Sequence, residues 1–166
     1  MARPTTATIH TAALRHNLGV VRAKAPCSRV MAVVKADGYG HGLERVVRAL
    51  RDADAFGVAA LADAERIRAA GLSQPVVLLS GFDAPDDLPQ LQRLNVEAVV
   101  HHHAQLEMLE QAPPELSRAL RCWLKVDTGM HRLGFAPEYV RQAHARLSAL
   151  GAGDPVLMTH FASSDE

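Results

Sequence analysis

Six short apolar runs recur along the chain, each followed by residues at helical spacing, and this alternation limits the possible folds more than any other feature. The runs are Val30 to Val34, Ala55 to Ala59, Val76 to Leu79, Val96 to Val100, Leu120 to Val126 and Val156 to Thr159. Short, near-continuous apolar runs of this kind read as strands buried on both faces, as in a parallel sheet covered by helices. Between them, apolar residues return at i, i+3, i+4 and i+7, as in Leu43, Val46, Val47 and Leu50. Further helices are expected around Ala64 and Ile67, around Leu88, Leu91 and Leu94, and around Leu106 and Leu109 before Pro113 and Pro114. The last carries Tyr139, Val140, Ala143, Leu147 and Leu150 and stops at Gly151. A leading helix over 11–24 places Leu14, Leu18 and Val21 on one face, with Thr11 as its N-cap.

Repeated strand–helix units leave two architectures, an open doubly wound sheet or a closed (β/α)8 barrel. The polar residues favour the barrel. Lys35 ends the first run, Ser80 and Gly81 the third, Lys125 and Asp127 the fifth, and His160 the sixth. Barrel enzymes gather their sites from many strand ends, whereas open sheets concentrate them at one switch point. The expected fold is therefore α/β, of the (β/α)8 TIM-barrel type. Only six strands are counted, so residues 1–166 read as the N-terminal part of a barrel truncated after about six strands.

Composition excludes several classes. With 18 basic and 18 acidic residues and no basic stripe, a nucleic-acid binder is not expected. The apolar runs are too short to span a bilayer, and no signal sequence is read at the start, so no membrane role is expected. Cys27 and Cys122 are isolated, as free thiols in a reducing cytoplasm would be. Among nine histidines, His101, His102 and His103 are consecutive, so their side chains diverge; they read as an exposed strand end and not as a metal site.

The stretch from Met31 to Gly42, MAVVKADGYGHG, carries the chemistry. Lys35 follows five apolar residues, where desolvation would disfavour its ammonium form and leave a nucleophilic amine. Gly38, Gly40 and Gly42 would let backbone N–H groups approach an anion, and Tyr39 adds a hydroxyl donor. An activated amine beside a phosphate-sized cradle suits covalent attachment of pyridoxal 5'-phosphate (PLP). The plainer alternative is a lysine marking where the chain surfaces, followed by a glycine-rich turn. A nucleotide P-loop is excluded, because its lysine follows the glycines.

Two later stretches add polar residues at strand ends. In CWLKVDTGMHRLGF, Cys122 to Phe135, a strand delivers Lys125 and a loop presents Arg132, which can grip a carboxylate with two parallel hydrogen bonds. An ordinary solvated face is the alternative. In LMTHFASSDE, Leu157 to Glu166, His160 could equally be a hydrogen-bonded core histidine.

Together these three stretches resemble the AVVKA-x-x-YGHG, LKVDTGM-x-RLGF and MTHFA motifs of alanine racemases, in the same order, and TATIHTAALRHNL resembles that family's opening. The resemblance covers the whole chain, but family members are roughly twice as long. It implies a PLP-dependent interconversion of L- and D-alanine for the bacterial cell wall, in the cytoplasm, by a homodimer. It implies Lys35 as the cofactor lysine and one of two acid/base groups, and Tyr39 as a phosphate donor. Val33 would line the ring pocket, and His160 would lie near the ring. Arg132 would contact the substrate carboxylate and the cofactor's ring oxygen, and Lys125, often carbamylated in the family, would steady it. The second base, the partner of the pyridine nitrogen, much of the phosphate cradle and a C-terminal β domain are expected outside this sequence, so the chain alone is expected to be inactive. Two rivals are a non-catalytic PLP-binding barrel, which should lack the Arg132 stretch, and a half-barrel acting as an assembly module.

Overall fold

The computed structural model describes residues 5–164. Six strands form one sheet in sequence order: β1 (Met31–Val33), β2 (Ala55–Val58), β3 (Val76–Leu78), β4 (Val96–Val100), β5 (Cys122–Lys125) and β6 (Val156–Met158). Every pairing is parallel. The helices are α1 (Thr11–Lys24), α3 (Leu43–Ala49), α4 (Leu61–Ala69), α5 (Asp87–Leu94), α6 (His103–Gln111), α7 (Pro114–Ala119) and α8 (Pro137–Ala149), with a short turn, α2 (Lys35–Tyr39), after β1. The sheet curls into a half-barrel, as the alternation of strands and helices predicts.

Register separates the two faces. Phe56, Val76 and Val96 share one row, and Val58, Leu78, Ala98 and Cys122 another. These side chains pack outward against Leu43, Val47, Ile67, Leu88, Leu91, Leu106 and Leu109 to form the main core. Each fully buried side chain of this size stabilises the fold by about 1.5–3 kcal/mol. The intervening residues face the concave side, where Gly57 leaves room for its neighbours. A Cβ there would lie 3.1 Å from both Met31 Sδ and Leu79 Cδ1. That concave face leads to the C-terminal strand ends.

Several local expectations differ from the structure. Thr11 is the first helical residue, while His10 occupies the cap position without a side-chain bond. A second helix, α7, follows α6 immediately, because Pro114 sits at the helix start, where its missing N–H costs nothing. The three histidines are not simply a strand end. His101 has Nε2 2.8 Å from the Ser80 carbonyl, His102 accepts from Ala104 N as the α6 cap, and His103 begins α6. Among the described residues no group of three or more histidine, cysteine or acidic side chains could hold a metal, and no helix is long and apolar enough to cross a membrane.

Candidate active site

Strand β1 hands the chain to a left-handed turn. Val34 N donates to Gly57 O at 2.8 Å, which fixes the strand end, and Lys35 follows. Ala36, Asp37, Gly38, Tyr39 and Gly40 then all take positive φ, between 54° and 77°. Each non-glycine residue in this conformation costs roughly 1–2 kcal/mol, so the turn must be held by its surroundings. Gly38 N donates to Val34 O, Gly40 N to Ala36 O and Gly42 N to Asp37 O, at 2.9, 3.0 and 2.9 Å. A Cβ on Gly38 would lie 2.8 Å from Val46 Cγ2. The glycine N–H groups are thus spent on carbonyls of the turn itself. The expected backbone cradle is absent here, and the glycines serve close packing and left-handed geometry instead.

The six residues singled out from the sequence, Val33, Lys35, Tyr39, Lys125, Arg132 and His160, line one groove of about 340 Å³ at the C-terminal strand ends. Met31, Leu79 and Met158 give it an apolar wall, and among the described residues no acidic side chain lines it. Lys35 is half-buried and not enclosed, and Tyr39 is exposed. Ser80, whose hydroxyl donates to Ala59 O at 2.9 Å, also faces the groove.

Lys125, the last residue of β5, is only 8% exposed. Burial pushes its pKa down, the Arg132 guanidinium adds to this, and Asp127 opposes it. A less protonated amine is the form that can react with an electrophile.

The loop from Asp127 to Arg132 is tied at both ends. Asp127 Oδ1 accepts from Gly129 N and His131 N, both at 3.0 Å. Thr128 Oγ1 lies 2.5 Å from Thr159 Oγ1 and donates to His160 O at 3.1 Å, linking this loop to the end of β6. Phe135 N donates to Lys125 O and Asp127 N to Phe135 O, which closes the loop's base. Ser80 and Asp127 read in the sequence only as polar strand-end residues, and the pairing of Thr128 with Thr159 is not singled out there. Asp127 leaves a further local trace, an acidic residue two positions before a glycine at a strand end.

A parallel half-barrel with two lysines, an arginine and a histidine gathered at its C-terminal end places polar residues where (β/α)-barrel enzymes carry their active sites. The chain belongs to the family described as "Alanine racemase, N-terminal domain", whose model matches residues 9–166. It is 52% identical over 162 residues to an alanine racemase of Shewanella baltica, covering 96% of this chain and 45% of that protein. Among solved structures, alanine racemase from Acinetobacter baumannii superposes with a TM-score of 0.88 at 36% identity, over 95% of this chain and 47% of the other. The alanine racemase of E. faecalis gives 0.86 at 36% identity, over 95% and 44%. The chain spans about half the length of the curated relatives it matches.

Proposed function

We propose that the groove holds pyridoxal 5'-phosphate on Lys35 and forms half of the site in which a racemase interconverts L- and D-alanine. The observation that carries this is the convergence of Lys35, Lys125 and Arg132, from the turn after β1, from β5 and from the loop after β5, on one groove that, among the described residues, no acidic side chain lines. The set suits a flat, anionic cofactor: Val33, Leu79 and Met158 offer an apolar wall, the cations meet negative groups, and Tyr39 supplies a hydroxyl. Such a cofactor supplies an electron-poor ring system that stabilises the carbanion left when Cα loses its proton.

The chain's own residues then take these parts. Lys35 would hold the cofactor through its amine and would move the Cα proton on one face. Arg132 would orient the substrate carboxylate with its two-pronged guanidinium. Lys125 steadies Arg132. Its lowered pKa favours the neutral amine that carbamylation requires. Tyr39 would donate to the phosphate, and His160, on the same groove, would face the ring.

Inverting a stereocentre needs an acid/base group on each face of the planar carbanion, and Lys35 is assigned to one of them. The second is proposed to come from a C-terminal β domain of a partner subunit in a homodimer, with residues 1–166 forming the N-terminal part of the barrel. A cytoplasmic enzyme making D-alanine for peptidoglycan is the proposed setting. The alternative, a non-catalytic PLP-binding barrel, is disfavoured by Arg132 lying in the groove close enough to influence Lys125.

The test is solvent-deuterium incorporation at Cα of alanine. The intact protein should exchange with inversion and lose that exchange in Lys35→Ala; exchange no faster than with free PLP overturns the reading. The 166-residue chain alone should not invert alanine above free PLP, since loss of one acid/base group typically lowers the rate by roughly 10²–10⁴-fold.

A further inference from the structure

The left-handed turn that carries Lys35 and Tyr39 is gripped from outside by one side chain. We propose that Arg66 is a positioning residue for the reactive lysine: by clamping Asp37 and Glu44 together it holds the turn in the form that sets Lys35 and Tyr39 on the groove. The inference rests on the proposed role of Lys35.

Arg66 belongs to α4, in the next β/α unit, twenty-nine residues beyond Asp37. Its backbone is well anchored, because its neighbours Ala64 and Ile67 are fully buried in the core. From there Nη2 donates to Asp37 Oδ1 at 2.7 Å. Nε and Nη2 donate to Glu44 Oε1 and Oε2 at 2.7 and 2.9 Å, a two-pronged grip on the first turn of α3. Asp63 Oδ1 stands 3.6 Å from Nη1. One guanidinium therefore joins the turn, α3 and α4.

Asp37 is the pivot. It lies within the left-handed run, with φ 54° and ψ 45°. Besides Arg66, its Oδ1 accepts from Leu43 N at 3.0 Å, and so caps α3 in place of Gly42, which has no side chain. The backbone bonds within the turn close it but do not orient it against the barrel. Among the described residues, Arg66 is the side chain that ties this strained segment to the neighbouring unit. Without it, Asp37 and Glu44 would face each other as like charges, with Arg45 nearby as a further cation on Asp37.

Geometry and stability separate here. Exposed ion pairs add little to global stability, whereas misplacement of a reacting group by about 1 Å can cost roughly a hundredfold in reactivity. The clamp's effect should therefore appear in the turn and in the chemistry of Lys35, and hardly in the melting temperature.

The experiment compares the intact wild-type protein with Arg66→Ala, Arg66→Lys and Asp37→Asn. The first readout is backbone amide exchange at Gly40 and Gly42, whose N–H groups bond within the turn. The second is capture of added PLP at Lys35, followed by borohydride trapping over a concentration series. Arg66→Ala should speed exchange at Gly40 and Gly42 with little change at Val58 and Leu78, and weaken capture by roughly tenfold to a hundredfold. Arg66→Lys, which keeps the charge but not the fork, should recover part of both. Unchanged amide exchange overturns the clamp, and faster exchange with unchanged capture overturns the positioning role. An intact wild-type protein that captures no PLP at Lys35 defeats the cofactor reading itself, and with it any role for Arg66 in that chemistry.

Discussion

Asp127 and His131 are joined across their loop, with Asp127 Oδ2 2.9 Å from His131 Nδ1. Together with the N–H groups of Gly129 and His131 on Oδ1, this gives one carboxylate three donors, immediately before Arg132. The backbone donors, foremost that of His131, hold the Asp127 carboxyl at about 2, below its ordinary 3.8. His131 must keep its proton on Nδ1 to donate, and its own backbone is left-handed at φ 57°.

The first prediction is an acid-labile contribution. A carboxyl depressed in the folded state stabilises the fold above its unfolded value, and that contribution is lost as pH falls from about 3.8 through about 2. Denaturant midpoints measured across that window should fall for the wild-type chain. Asp127→Asn should be less stable near neutral pH and flatter through the same window; two parallel profiles would remove Asp127 from the account.

Two glycines in this loop should respond differently to alanine. At Gly134, φ 127°, a Cβ would lie 2.6 Å from Asp127 N and 2.8 Å from Val126 C, both backbone atoms that cannot yield. At Gly129, φ 124°, nothing lies within 4 Å. Gly129→Ala should therefore cost only backbone strain, about 1–3 kcal/mol, and Gly134→Ala distinctly more. Urea unfolding of the two variants decides it, and equal costs would contradict the close approach at Gly134.

Lys125 is expected to carry a stability penalty. Its pKa is lowered in the fold, chiefly by burial, so the unfolded chain binds more protons just below the ordinary value of 10.5. Stability should then rise with pH as that value is approached from below. Lys125→Met should abolish the rise and be at least as stable as wild type at neutral pH. A variant that is less stable there would mean the ammonium is well paired.

Arg132 should matter to chemistry more than to folding, since its side chain is exposed on the groove. In the intact racemase proposed above, Arg132→Ala should cost about 2–5 kcal/mol in transition-state stabilisation, the usual loss on truncating one partner of a buried charge pair. Unchanged kcat/KM for alanine would exclude this role.

The sequence made the sheet legible because parallel strands such as Val76–Leu78 are buried on both faces and stand out as continuous apolar runs. The common groove of Lys35, Lys125, Arg132 and His160 was legible for the same reason, since residues that end parallel strands end on one face. Other features left no such trace. The glycines over 38–42 read as an anion cradle in the sequence, because glycine permits both, and only the bonds of their N–H groups to turn carbonyls and the packing of Gly38 on Val46 distinguish the two. Arg66 carries no local signal of its role. Its partners Asp37 and Glu44 belong to another β/α unit, which no local pattern reveals. The link between Thr128 and Thr159 likewise exists only because β5 and β6 are neighbours.

The most direct measurement is the site of covalent PLP attachment. The intact protein is incubated with PLP, reduced with borohydride, digested and mapped by mass spectrometry. The account predicts the pyridoxyl group on Lys35, with Lys35→Ala folded as judged by circular dichroism but lacking the cofactor's bound absorbance. A pyridoxyl group on Lys125 instead, or absorbance undiminished in Lys35→Ala, would contradict it.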